Sequence, residues 1–253
     1  LQALRRRRRH GTIIRAIPFQ GASGLLSLDA TPGSVAPHPV VVALSPAHTQ
    51  AGVGTNAKIV AKFSQPLDPT TVSASTFSVT SGFVAVTGTR TVSASERGPN
   101  TLVAFIPSAP LPANSSLVVA ITSGIKNTVG EPLLLNSLSS ATFSTGPGGD
   151  TTAPTVVQLN PPNGVVSVGT NNVITVEFSE PIDATTVTTA TVSLSTGGVP
   201  VNGRVKVITG PRGLNTQAVF TPDQLLGGTM TYAVAGGTGI TDTAGNPLAA
   251  PFS

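Results

Sequence analysis

The chain has 253 residues, room for one large domain or two of about 100–125 residues each. Only 9% are charged and 4% aromatic, while glycine (27) and proline (22) abound and β-branched residues crowd the rows, a composition that argues against long helices. Cysteine is missing altogether, which excludes a disulfide framework, a thiolate metal site and a cysteine nucleophile.

The chain starts at Leu1, consistent with a removed leader or a fragment. Arg5, Arg6, Arg7, Arg8 and Arg9 come next as one run. Without these five the chain has 9 basic against 10 acidic residues, so the formal +4 belongs to an arm and the body is close to neutral. Adjacent guanidiniums repel one another. Three readings stand: contacts to carbonyls and carboxylates of neighbouring subunits, pairing with a phosphate or other polyanion, or an ordinary solvated run. The run has no interleaved aromatic platform, which argues against single-stranded nucleic acid.

Residues 11–30 belong to no repeated unit. Ile13, Ile17 and Phe19 share one extended face, flanked by Ile14 and broken by Arg15, and Leu26 and Leu28 share another. The segment is too short to form a core alone. As a strand donated to another domain it buries four or five apolar side chains, at about 1.5–3 kcal/mol each before ordering costs. The competing readings are a leader segment or an extra strand on its own domain.

From residue 40 a repeat takes over. Lys62-Phe63-Ser64-Gln65-Pro66-Leu67-Asp68-Pro69-Thr70-Thr71-Val72 returns as Glu177-Phe178-Ser179-Glu180-Pro181-Ile182-Asp183-Ala184-Thr185-Thr186-Val187, an offset of 115. The same offset matches Val41-Val42 to Val156-Val157, Gly54-Thr55-Asn56 to Gly169-Thr170-Asn171, Phe105 to Phe220, and Gly130 and Pro132 to Gly245 and Pro247. One gapless register of this length predicts two copies of one domain, at 40–146 and 154–253, joined by a turn-rich linker at 147–153 and preceded by an arm at 1–39. In each copy short strands are predicted: 57–63 and 172–178, with Ile59, Ala61 and Phe63 on one face, then 77–79 and 192–194, 102–106 and 217–221, and 117–121 and 232–235. Six or seven short strands in such a length point to an antiparallel β-sandwich, so the fold class is all-β with two tandem sandwiches behind an extended arm.

Specific phrases also carry a resemblance. Phe-Ser-Glu-Pro-Ile-Asp-Ala-Thr-Thr-Val at 178–187, Phe220-Thr221-Pro222 and Asp242-Thr243-Ala244-Gly245-Asn246-Pro247-Leu248 are similar to bacterial Ig-like domains of the S-layer and surface-protein type. The first copy departs from the last phrase with Lys126-Asn127-Thr128-Val129-Gly130-Glu131-Pro132. The resemblance implies Ig-like sandwiches serving as spacer, adhesion or assembly modules at the cell surface. It brings no catalytic residue with it.

The register exposes an asymmetry at the end. The first copy continues past Leu138 into Ser139-Ser140-Ala141-Thr142-Phe143-Ser144-Thr145, a natural last strand, whereas the counterpart of Leu138 is Ser253. Another chain donates the strand, or the given sequence stops short of it, or Ala250-Pro251-Phe252-Ser253 replaces Ala141-Thr142-Phe143-Ser144. Under donation, Tyr232, Val234 and Phe252 form the receiving edge.

Other chemistry is thin. Asp68 and Asp183, followed by threonines, read as turn or helix caps, and Asp242 reads as a turn residue. The ten acids are too scattered for an EF-type calcium loop. Histidine occurs only at 10, 38 and 48, and there is no nucleophile elbow. No cofactor is called for, and no apolar stretch approaches the ~18 residues of a membrane span. The sequence therefore reads as a non-enzymatic extracellular subunit that polymerises head to tail with copies of itself. The alternatives are a spacer or adhesion module of a larger surface protein, and a viral shell or decoration protein with a basic arm.

Overall fold

The computed structural model describes residues 37–253. The arginine run and the candidate donor residues Ile13, Ile14, Ile17, Phe19, Leu26 and Leu28 lie outside them. The strands of the first repeat are β1 (Val41–Ser45), β2 (Ile59–Phe63), β3 (Phe77–Ser81), β4 (Val84–Ala85), β5 (Gly88–Ser95), β6 (Gly98–Pro107), β7 (Ser116–Ile121) and β8 (Ser140–Ser144). The second repeat has β9 (Val156–Asn160), β10 (Ile174–Phe178), β11 (Val192–Thr196), β12 (Val199–Pro200), β13 (Gly203–Gly210), β14 (Gly213–Pro222) and β15 (Ala233–Gly236).

In the first repeat the sheet β1-β2-β6-β5 faces the sheet β4-β3-β7-β8. In the second, β9-β10-β14-β13 faces the three-stranded β12-β11-β15. All strand pairs are antiparallel. Each core is built on phenylalanines at matching places: Phe63 and Phe105 in the first, Phe178 and Phe220 in the second, all buried.

The sequence pattern places β2 on one buried face, but the structure buries the whole strand. Lys62 is 4% exposed, and its ammonium bridges both Glu96 oxygens at 2.9 and 3.0 Å. The β5–β6 hairpin folds over this outer face and supplies Glu96, so alternation fails where a charge is covered and paired. In the second repeat the charges are reversed: Glu177 on β10 meets Arg212 of the β13–β14 hairpin at 3.2 Å. Both hairpins turn at glycines, Gly98 and Gly213, with φ of 120° and 126°, a region open to residues without a Cβ.

The repeats meet through polar contacts. Thr55 N donates to the Gly148 carbonyl (2.9 Å), Asp150 N donates to Asn56 Oδ1 (2.8 Å), and Asn56 Nδ2 returns a bond to the Asp150 carbonyl (2.9 Å). Asn246 Nδ2, from the second repeat, donates to the same carbonyl at 3.1 Å. Asp150 is thereby held from both sides.

Candidate functional site

The two repeats differ most where the last strand belongs. In the first, β8 is paired on both flanks. Against β7, Leu117 stands opposite Phe143 and Val119 opposite Ala141, all four buried. On the other flank Thr49 N donates to Thr142 O (2.7 Å), Ser144 N to Gln50 O (2.9 Å) and Val53 N to Ser144 O (3.0 Å). No backbone group of Thr142 or Ser144 is left to water.

In the second repeat β15 pairs with β11 on one flank. On the other, Gly236 and Phe252 exchange two backbone bonds at 2.9 and 3.0 Å. The Gly236 N to Phe252 O bond matches Ile121 N to Ser139 O (2.8 Å) in the first repeat. Phe252 therefore occupies the position of Ser139, not of Phe143. The expected equivalence of Ala250–Ser253 with Ala141–Ser144 is displaced: both repeats seat a leucine in the core with the same bond (Leu133 N to Ile125 O, Leu248 N to Ile240 O, each 2.8 Å), but the matching strand bond comes six residues after Leu133 and only four after Leu248.

The flank beyond Phe252 is open among the described residues. Val234 and Tyr232 share the parity of Gly236, so their backbone groups turn toward this open side. Their side chains are only half-buried, where Leu117 and Val119 are completely covered. The facing segment is uncovered too: Val168, counterpart of the 2% exposed Val53, is 38% exposed, and Val166 is 81% exposed. The Tyr232 hydroxyl accepts a bond from Gly227 N at 2.6 Å.

A second cluster escaped the sequence reading. Asp150, Glu180 and Asp242 each bring a carboxylate oxygen within 4.8 Å of the others. The corresponding pair in the first repeat is neutral: Asn127 Nδ2 donates to Gln65 Oε1 at 3.2 Å. That exchange of amides for acids at the 115 offset is the signal in the sequence, but Asp150 joins from the linker, which no local pattern shows. Asp242 is engaged as the turn residue expected, accepting from Asn246 N (2.8 Å) and Nδ2 (2.7 Å), and Asp150 Oδ1 accepts from Thr152 N (2.9 Å). Glu180 Oε1 is buried without a partner. These three are the described residues that could hold a cation, but with those bonds in place they fall short of the ~six to eight oxygens calcium takes.

Burial, then the charges of Asp150 and Asp242, push Glu180 up from 4.5 to about 7. The folded chain thus holds a proton that the unfolded chain releases between those two values, and stability falls as pH rises through that window. Glu180→Gln, which restores the residue type of Gln65, is expected to flatten this slope. Above pH 7 it should raise stability by on the order of 1 kcal/mol, discounted for partial exposure. Urea denaturation at pH 5 and pH 8 measures both quantities, and an unchanged slope in the variant contradicts the assignment.

Asp68 and Asp183 are caps, as the sequence reading has them. Asp68 Oδ1 accepts from Thr70 N (3.0 Å) and Oγ1 (2.7 Å), and these bonds hold its carboxyl below the usual range. Asp183 makes the same bonds to Thr185 at 2.8 and 2.7 Å, but its burial raises it.

A family model of the bacterial Ig-like domain matches the chain twice, over residues 36–145 and 150–253. Among curated proteins none matches. Solved structures with likeness include the S-layer protein rSbsC(31-844), at 15% identity and TM-score 0.33, covering 84% of this chain and 34% of that one. Another is L,D-transpeptidase 1 from Mycobacterium tuberculosis, at 16% identity and TM-score 0.30, covering 68% and 66%. The chain thus spans about a third of the S-layer structure's length. Likeness this low adds nothing about function. The double family match over two all-β sandwiches is decisive for membership: the chain belongs to the bacterial Ig-like domain family and carries two copies in tandem.

Proposed function

We propose that this chain is a structural module of the bacterial cell surface that assembles head to tail. A strand from residues 12–28 of one copy enters the second Ig-like domain of the next. The observation that carries this reading is the open flank of β15, where Tyr232 and Val234 lie half-buried opposite the exposed Val168. The first repeat supplies the template for the occupant: a strand antiparallel to β7 that inserts alternate apolar side chains. Ile17-Pro18-Phe19-Gln20-Gly21 has that alternation. Its proline falls at the place of Thr142, whose N–H points away from β7 to His48 Nδ1. Such a contact joins unlike surfaces and propagates as a filament when it does not close into a ring.

Electron microscopy of the intact chain beside a chain lacking residues 1–30 tests this. Filaments from the first and single particles from the second are expected. Single particles from both overturn strand donation and leave a spacer or adhesion module, with the slot filled from within a chain. Filaments from both place the assembly contact elsewhere.

A further inference from the structure

The first repeat holds the linker that leaves it in a small backbone clamp. Thr55 N donates to the Gly148 carbonyl at 2.9 Å, and Asn56 exchanges bonds of 2.8 and 2.9 Å with the backbone of Asp150. Gly54 makes the room: a Cβ there would lie 2.7 Å from Asp150 Cβ and 2.8 Å from its nitrogen, although the φ of Gly54 is outside the left-handed region. The second repeat keeps the clamp as Gly169-Thr170-Asn171. It also keeps the bonds that shape it. Asn172 N to Gly169 O at 3.1 Å matches Ala57 N to Gly54 O at 3.0 Å, and Leu226 N to Thr170 O at 2.7 Å matches Leu111 N to Thr55 O at 2.7 Å. Yet Gly54 and Thr55 are buried, whereas Gly169, Thr170 and Asn171 are exposed. Among the described residues none bonds the Thr170 N–H. A Cβ on Gly169 would meet only the Asn171 amide oxygen, at 3.1 Å, so neither backbone conformation nor packing among the described residues asks for a glycine there.

We propose that this clamp receives the backbone of residues 33–35 from a second copy, and so sets the register in which that copy's arm enters the open slot. This rests on the strand donation proposed above and narrows it. Upstream of residue 40 the 115 offset places Pro32-Gly33 at Pro147-Gly148 and Pro39 at Pro154. The match is too sparse to mark a repeat in the sequence; the clamp that receives it gives it meaning. In this register Leu26 stands for Ala141 and Leu28 for Phe143, so Leu26 meets Val234 and Leu28 meets Tyr232. The aromatic ring and the leucine have changed sides, Tyr232 with Leu28 in place of Leu117 with Phe143, which nearly conserves the volume of the pair. The donated strand begins at Leu25, just past the place that Phe252 fills, and Gly21-Ala22-Ser23-Gly24 turns the chain away there. Ile17 and Phe19, whose alternation also suits a strand, then lie outside the slot. Thr31 and Ser34 replace Gly146 and Gly149, where a Cβ would come no nearer than 3.3 and 3.5 Å to its neighbours. The clamp bonds backbone atoms only, so Val35 serves where the linker has Asp150. The junction agrees with that exchange. The Asp150 carboxylate lies beside Glu180 and Asp242, whereas the matching residues of the incoming copy are the uncharged Gln65 and Asn127.

Disulfide trapping between two full chains reads the register, because the protein has no cysteine of its own. One chain carries Ala233→Cys, at the place of Val118, and the other carries Ser27→Cys, at the place of Thr142. Val118 and Thr142 stand directly opposite each other, and Thr142 bonds away from β7, to His48 and Thr49, which is the close pairing that a disulfide spans. In the register of Ile17 and Phe19 it is Pro18 that stands there. Mixed dimers are expected to form about tenfold faster with Ser27→Cys than with Pro18→Cys. Asn171→Ala or Gly169→Ala in the receiving chain should slow the trapping severalfold and leave its circular dichroism unchanged, since both positions are exposed and outside the core. Trapping as fast or faster at Pro18 overturns the register and leaves strand donation standing. Trapping at Ser27 that neither variant slows overturns the clamp and also leaves donation standing. A chain with both cysteines that closes on itself rather than on another overturns the second copy as occupant. No mixed dimer with either arm cysteine overturns strand donation as well.

Discussion

Replacing Phe143 with alanine is expected to cost the first repeat about 3–5 kcal/mol, the range for emptying a fully buried aromatic site. Phe143 is 1% exposed, stands opposite Leu117 on the last strand, and belongs to the core with Phe77 and Phe105. The effect should be confined to that repeat. The only tyrosine, Tyr232, lies in the second, so its fluorescence follows that repeat alone while circular dichroism follows both. Urea titration should move the dichroism transition and leave the tyrosine transition nearly in place. A loss below about 1 kcal/mol would mean that β8 is not essential to the sandwich. The open flank of the second repeat would then no longer mark the place of a needed strand.

The next largest effect belongs to a glycine. A Cβ on Gly203 would lie 2.5 and 2.7 Å from two atoms of the Phe220 ring and 2.7 Å from the Thr221 carbonyl oxygen. Neither can yield, since the ring is buried in the core and the carbonyl belongs to the adjacent strand. Gly203→Ala should therefore destabilise the second repeat by about 3 kcal/mol, at the upper end for overpacking. Gly88 meets the same obstacles, the Phe105 ring at 2.6 Å and the Ile106 oxygen at 2.5 Å, so Gly88→Ala should cost the first repeat a similar amount. The tyrosine signal should follow the first variant and ignore the second. Tolerance of alanine at both places would show that strand and ring are not packed as closely as the fold requires.

The architecture is legible because one offset runs through both copies, and because Phe63 and Phe178, or Phe105 and Phe220, recur in strand-like surroundings. The strands β5 and β13 escape a reading by pattern. They lie at sheet edges, and β5 carries Arg90 and mostly small polar residues, so apolar alternation is faint. Symmetry alone points to Tyr232 and Val234, and the structure sets them beside an open flank. The displacement of Phe252 is not visible in the offset, since it lies in the path after the shared core leucine: the matching strand bond falls four residues after Leu248 and six after Leu133. The Asp150–Glu180–Asp242 cluster needs three separate segments brought together.

Two domains of the same fold in one chain run the risk of exchanging strands while they fold. The reversed ion pairs oppose that. A hybrid sandwich that laid the second hairpin over β2 would set Arg212 against the buried Lys62, with Pro211 in the place of Glu96. That cross-pairing leaves the buried ammonium without its carboxylate, whereas each correct pairing joins opposite charges. The chain thus labels its halves with opposite polarity at one buried position, and the second hairpin is steered back to the strand it was synthesised beside.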